Sequence, residues 1–76
     1  MQVNKLVKMA NQIAQNMDYG ADKTHAVEGT ADHLTRFWTP DMLAAIVEYA
    51  KREANELNEV AALSVAEIAR NRSNAA

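Results

Sequence analysis

The chain has 76 residues, which is enough for one small domain, and 15 of them are alanine, so the hydrophobic fraction of 49% overstates the size of the core. It contains no cysteine, which excludes disulfides, thiolate metal sites and a cysteine nucleophile. The net charge of −2, the scattered basic residues and the lack of a long apolar run predict a cytoplasmic protein that binds neither nucleic acid nor membrane and carries no signal peptide.

The first predicted element is an amphipathic helix over residues 3–18, which Gly20 is expected to close, because glycine readily takes the left-handed conformation. Its polar face carries an uncharged amide cluster that includes Asn11 and Gln12. Amides donate and accept hydrogen bonds without the desolvation cost of charge, which suits a protein contact, but ordinary solvated surface explains them equally well. The predicted core face contains Val3, Leu6, Val7, Ala10, Ile13, Ala14 and Met17.

The second predicted helix covers residues 22–38, with Asp22 as its N-cap. Gly29 lowers the helix propensity in its middle, which indicates either the close approach of another backbone or a tolerated weak point. Asp32 and Arg36, four residues apart, are expected to form a surface ion pair. The predicted apolar side contains Ala26, Val27, Ala31, Leu34, Phe37 and Trp38.

Two further helices are predicted at residues 40–54 and 59–70. Pro40 ends the second helix and opens the third, with Thr39 as the N-cap. The third helix is expected to bury Met42, Leu43, Ile46, Val47, Tyr49 and Ala50, and to carry a Glu48–Arg52 pair on its surface.

A break is favoured at "NELN", residues 55–58, although one long helix over 40–70 is an alternative because no glycine or proline follows Pro40. Residues 71–76 are expected to fray. The predicted fold is a single all-α domain over residues 1–76, built as a small three- to four-helix bundle.

The stretch "HLTRFWTPDML" at residues 33–43 places two of the four aromatic residues at one corner. Phe37 and Trp38 lie about 100° apart on a helix, so they point in different directions. We expect Trp38 to wedge between the second and third helices, and Phe37 to lie above His33 and face a neighbour or another molecule.

No residue pattern indicates catalysis. The two histidines are eight residues apart, without a carboxylate at metal-binding spacing, and His25 is expected to be exposed. Neither serine has a base at a recognisable spacing, and there is no glycine-rich phosphate loop. The sequence therefore predicts no catalytic, cofactor-binding or metal-binding residue.

"KLVKMANQIA" at residues 5–14 and "ADHLTRFWTPDML" at residues 31–43 resemble the small delta subunit of NAD-dependent formate dehydrogenases. In that family the first motif reads Leu-Val-(Arg/Lys)-Met-Ala-Asn-Gln-Ile-Ala, and the second reads Ala-x-His-(Leu/Ile)-x-x-Phe-Trp-x-Pro-x-Met. The chain departs from the family at Asn16 and Met17, where relatives often have aromatic residues. It also departs at Asp41, which replaces a residue that is commonly basic.

The resemblance implies a non-catalytic accessory subunit of a cytoplasmic molybdenum- or tungsten-containing formate dehydrogenase, which oxidises formate with NAD⁺. The large subunits of such an enzyme are implied to hold bis-molybdopterin guanine dinucleotide, iron–sulfur clusters and FMN, with no cofactor bound by this chain. The implied role is to assist assembly, stability or molybdenum cofactor insertion of the catalytic alpha subunit. The alpha subunit is therefore the expected partner, and a cofactor-insertion chaperone is a further candidate.

A partner interface is expected where the first motif and the aromatic corner are exposed. Which surface docks, and whether the association is permanent or transient, stay open. A free-standing helical interaction or regulatory module is the alternative function, and a homodimer is an alternative state of the isolated chain. The candidate interface residues are Met9, Asn11, Gln12, His33, Arg36, Phe37, Trp38 and Asp41.

Overall fold

The protein folds as a bundle of α-helices. A computed structural model describes residues 2–18 and 22–74, and these contain helices and connecting segments but no strand. The all-α prediction is confirmed, whereas the predicted role of Gly20 lies outside the described residues. No helix in the described ranges is long and apolar enough to cross a membrane. The four helices are α1 (Val3–Met17), α2 (Lys23–Phe37), α3 (Pro40–Ala50) and α4 (Glu59–Asn74).

Both predicted N-caps form. An Asp22 carboxylate oxygen accepts hydrogen bonds from the backbone N–H groups of Thr24 at 3.0 Å and His25 at 3.4 Å. The Thr39 hydroxyl accepts from the Met42 N–H at 3.2 Å, and Pro40 occupies the first turn of α3. These contacts satisfy N–H groups that the first turn of a helix leaves without a partner, so the starts of α2 and α3 are determined locally.

The predicted apolar faces meet in one core, and most of the predicted positions are buried. Two hydroxyl groups, those of Thr30 and Ser64, are buried with them. The Thr30 hydroxyl donates to the Ala26 carbonyl at 2.8 Å. The Ser64 hydroxyl lies 2.7 Å from the Val60 carbonyl oxygen and 3.1 Å from that of Val27, which links α4 to α2. The core contains Leu6, Val7, Ala10, Ala14, Ala26, Val27, Ala31, Leu34, Trp38, Leu43, Ile46, Tyr49, Val60, Ala61, Val65 and Ile68.

In the chain, Trp38 lies between the end of α2 and the start of α3. Both helices pack on α1 and on α4, and they share no extensive interface with each other. The helix ends at Phe37, and Trp38 has an extended backbone with φ −93° and ψ 145°, so helical spacing no longer determines where its side chain points. Trp38 is buried in the core to which α2 and α3 both contribute, and its place between the two helices stays a prediction.

The predicted break between α3 and α4 is confirmed, but the boundaries move. α3 ends at Ala50, earlier than the predicted residue 54, and α4 continues to Asn74, beyond the predicted residue 70. No helix-breaking residue follows Asn58, and Arg72 lies in the last turn, where a cation is favourable at the negative end of the helix dipole. The predicted fraying is therefore wrong for residues 71–74, and residues 75–76 lie outside the described part.

The earlier end of α3 also changes an ion pair. Because Arg52 lies beyond the helix, the predicted pairing with Glu48 does not form. Glu48 pairs with Lys51 at 3.3 Å, and the Arg52 guanidinium lies 5.0 Å from the centre of the Tyr49 ring. The Asp32–Arg36 pair is present at 3.2 Å, as predicted.

Candidate docking surface

The aromatic corner exposes one ring and buries the other. Phe37 is the last residue of α2 and is 70% exposed, whereas Trp38 is 7% exposed. His33 lies one turn before Phe37, and the two ring centroids are 4.8 Å apart with 45° between the ring planes. An apolar ring is therefore held against a half-buried histidine at the surface, an arrangement that suits contact with another protein.

Two charged candidates flank this corner. Arg36 is exposed and paired with Asp32, so its side chain is held along α2. Asp41 is exposed in the first turn of α3, where the positive end of the helix dipole favours a carboxylate. The position of an acidic residue at Asp41 is thus explained by helix α3 itself, without contact with a partner.

Asn11 has a different environment from its neighbour Gln12, which is exposed. The Asn11 side-chain amide donates to the Glu56 carbonyl at 2.8 Å, and its side-chain oxygen accepts from the Asn58 N–H at 2.8 Å. The Asn58 amide in turn donates to the Asn11 carbonyl at 3.2 Å. Asn11 is half-buried, and its side chain attaches the segment between α3 and α4 to the middle of α1.

The same segment is held by two further side chains. The Tyr49 hydroxyl accepts from the Glu56 N–H at 2.9 Å. The Asn58 side-chain oxygen accepts from the Ala61 N–H at 2.8 Å and so caps the start of α4. Sequence reasoning placed Asn11 in an amide face available to a partner, and nothing in the local pattern indicates that it bonds to residues more than forty positions away.

Exposed and half-buried residues form two rows on the outer side of α1 and α2, and the row on α1 is apolar. Met9, Ile13 and Met17 follow one another at four-residue spacing and so form one row along α1. A second row along α2 contains Gly29, His33 and Phe37, also at four-residue spacing. Met9 is 42% exposed, and Ile13 and Met17 are half-buried.

The two rows lie side by side. The Met17 sulfur lies 3.3 Å from the position that a β-carbon would take at Gly29. Helices joined by a short connection usually run antiparallel, so from this contact we infer that Ile13 lies beside His33 and Met9 beside Phe37. We call these six residues the α1–α2 strip. Sequence reasoning named Met9, His33 and Phe37 as interface candidates, whereas it placed Ile13 and Met17 on the core face of the first helix. It interpreted Gly29 as a close backbone approach or a weak point of the second helix.

A second apolar feature lies on the opposite flank of α2. Leu63 of α4 is 47% exposed and lines a groove with Thr24, Val27 and Glu28 of α2. Lys23, at one end of the groove, pairs with Glu59. The hydrogen bond to this carboxylate, followed by its charge, raises the pKa of Lys23 above its ordinary value.

The described residues contain no cluster of three or more histidine, aspartate or glutamate side chains that could hold a metal ion. The candidate residues described above offer apolar, amide and charged groups, which are the groups found in protein contacts. Comparison with known protein families identifies the family to which the chain belongs. Residues 5–65 match the NADH-dependent formate dehydrogenase delta subunit, FdsD.

The chain belongs to the FdsD family. No curated protein and no solved structure matches it. The matched range includes both motifs, the whole α1–α2 strip and the segment that Asn11 holds. As a formate dehydrogenase delta subunit, the chain associates with other subunits of that complex.

Proposed function

We propose that the chain is a non-catalytic accessory subunit that docks on the catalytic alpha subunit of formate dehydrogenase and assists its assembly, stability or molybdenum cofactor insertion. The match of residues 5–65 to the FdsD family carries this proposal. The exposed Phe37 ring supports it, because a bulky apolar side chain with most of its surface in water gains free energy when a partner covers it.

The residues of the chain fit a docking role better than a chemical one. The absence of cysteine denies iron–sulfur clusters their usual thiolate ligands. Formate oxidation, NAD⁺ reduction and the bis-molybdopterin guanine dinucleotide, iron–sulfur and FMN cofactors accordingly belong to the larger subunits. A cofactor-insertion chaperone that acts on the alpha subunit is a further candidate partner.

Deletion of the chain from its native cells tests the accessory role. We expect less formate-dependent NAD⁺ reduction and a lower molybdenum content per purified alpha subunit, both restored by the wild-type chain. Normal activity, molybdenum content and thermal stability of the enzyme from deleted cells would overturn the proposal. A fall in enzyme stability with normal molybdenum content would restrict the role to stabilisation.

Affinity purification of the tagged chain tests the partner. We expect to recover the alpha subunit, identified by mass spectrometry, from cells grown with and without molybdate. Stoichiometric recovery from molybdate-replete cells would establish a permanent subunit, and recovery only from molybdate-starved cells would establish an assembly factor. Recovery of the alpha subunit under neither condition would contradict the proposed partner.

A further inference from the structure

The α1–α2 strip has a distinct charge environment. The chain as a whole carries a net charge of −2, yet α1 contains Lys5 and Lys8 and no aspartate or glutamate. Both lysines are exposed, and among the described residues neither forms an ion pair. The outer face of α1 is therefore locally basic on an acidic protein.

Lys5 extends the strip itself. It precedes Met9 by four residues, so it continues the row of Met9, Ile13 and Met17 beyond the end where Phe37 lies. Apart from His33, the side chains of the strip are apolar; they are most exposed at Met9 and Phe37, and Lys5 bounds the strip at that end. At the other end Gly29 has no side chain, and the Met17 side chain lies over it. No large side chain therefore protrudes from that end of the strip.

This combination determines what can cover the strip. Two antiparallel helices leave a shallow groove between them, into which an amphipathic helix can lay its apolar face. An acidic residue at the end of such a helix would compensate the charge of Lys5, whereas a basic helix would be repelled. A second copy of the chain offers lysines and no carboxylate on α1, so a symmetric contact through this helix would leave Lys5 and Lys8 without a compensating charge.

We infer that the α1–α2 strip binds an apolar helix of the formate dehydrogenase alpha subunit that carries carboxylates beside Lys5 and Lys8. This inference rests on the proposed function and specifies the surface and the chemistry of its partner. Phe37 is the anchor because it is the most exposed of the large apolar side chains in residues 2–18 and 22–74, and the His33 ring lies against it. Asn11 and Trp38, which are bonded or buried within the chain, are not part of this surface.

The first test compares apolar truncations in the full chain. The probe is formate dehydrogenase purified from cells that lack the chain, and the affinity is measured by biolayer interferometry. Phe37→Ala should weaken binding at least about tenfold, because truncation of a buried aromatic anchor has effects of this size. Leu63→Ala is the matched control, since Leu63 is also exposed but lies on the opposite flank of α2, and it should leave the affinity unchanged.

The second test addresses charge. The double variant Lys5→Glu/Lys8→Glu should slow association about tenfold at low ionic strength and remove most of its salt dependence. Arg70→Glu/Arg72→Glu changes the net charge equally on α4 and should have a smaller effect. Equal effects of the two double variants would show that only net charge matters and would overturn the assigned surface.

The outcomes separate the inference from the proposed function. If the wild-type chain does not bind the enzyme, and no tagged variant recovers the alpha subunit from cells, both fail. If the wild type binds and Leu63→Ala weakens binding more than Phe37→Ala does, the α2–α4 groove is the docking surface and the inference alone fails. A homodimer in sedimentation equilibrium that Phe37→Ala dissociates, with unchanged affinity for the enzyme, would assign the strip to self-association and also overturn it.

Discussion

Asn11 should be a stability determinant instead of a docking residue, and Asn11→Ala tests this directly. The substitution removes the hydrogen bonds to the Glu56 carbonyl and from the Asn58 N–H, both of 2.8 Å. Two of the three hydrogen bonds between Asn11 and the segment from α3 to α4 are therefore lost, and the bond from the Asn58 amide to the Asn11 carbonyl, at 3.2 Å, remains. Since Asn58 also caps α4, we expect the loss to loosen the start of that helix as well.

The expected cost follows from the two bonds. Each contributes about 1 kcal/mol net, and Asn58 is half-buried, so its N–H is imperfectly solvated once the partner is gone. We expect the free energy of unfolding to fall by about 2 kcal/mol. A chain of this length has a total stability of roughly 4–11 kcal/mol, so the loss is a large fraction of it. The melting temperature should fall by about 8–16 °C.

Urea denaturation followed by circular dichroism at 222 nm measures the effect. Gln12→Ala, at the neighbouring exposed position, is the control and should change the free energy of unfolding by less than about 0.5 kcal/mol. Asn11→Asp should be more destabilising relative to wild type at neutral pH than near about pH 4, where a protonated carboxyl can again donate to the Glu56 carbonyl. Equal stability of Asn11→Ala and the wild type would refute this interpretation of Asn11.

Three further substitutions test local features by the same assay. Gly29→Ala should stabilise the chain by about 0.5 kcal/mol, because alanine favours the helix and the flexible Met17 side chain at 3.3 Å can shift; destabilisation would show that Met17 cannot move. Ser64→Ala should lower the free energy of unfolding by about 1 kcal/mol, since the buried hydroxyl lies 3.1 Å from the Val27 carbonyl oxygen and links two helices. An unchanged free energy of unfolding would show that this link contributes no net stability. Asp22→Ala should cost about 1 kcal/mol through the lost N-cap, whereas Asp22→Asn should be nearly neutral.

Features of the candidate surface that lie within a single helix were predictable from the sequence. The pairing of His33 with Phe37 follows from four-residue spacing. The predicted apolar side of α2 included Phe37, so the 70% exposure of its ring was decided by the tertiary structure. The strip as a whole was not predictable, because it depends on which face of α1 lies beside α2. That register is visible only in the contact of Met17 with Gly29, where the close neighbour is a side chain and no backbone.

The sequence by itself determined the helices, their caps at Asp22 and Thr39, and most of the core, because hydrophobic periodicity and capping act within a few residues. Its two motifs also indicated the family. Only the tertiary structure decided that α3 stops at Ala50 and that Asn11 bonds to Glu56 and Asn58, since those bonds join residues 45 and 47 positions apart. Contacts at that separation depend on how whole helices pack, and local residue patterns carry no record of them.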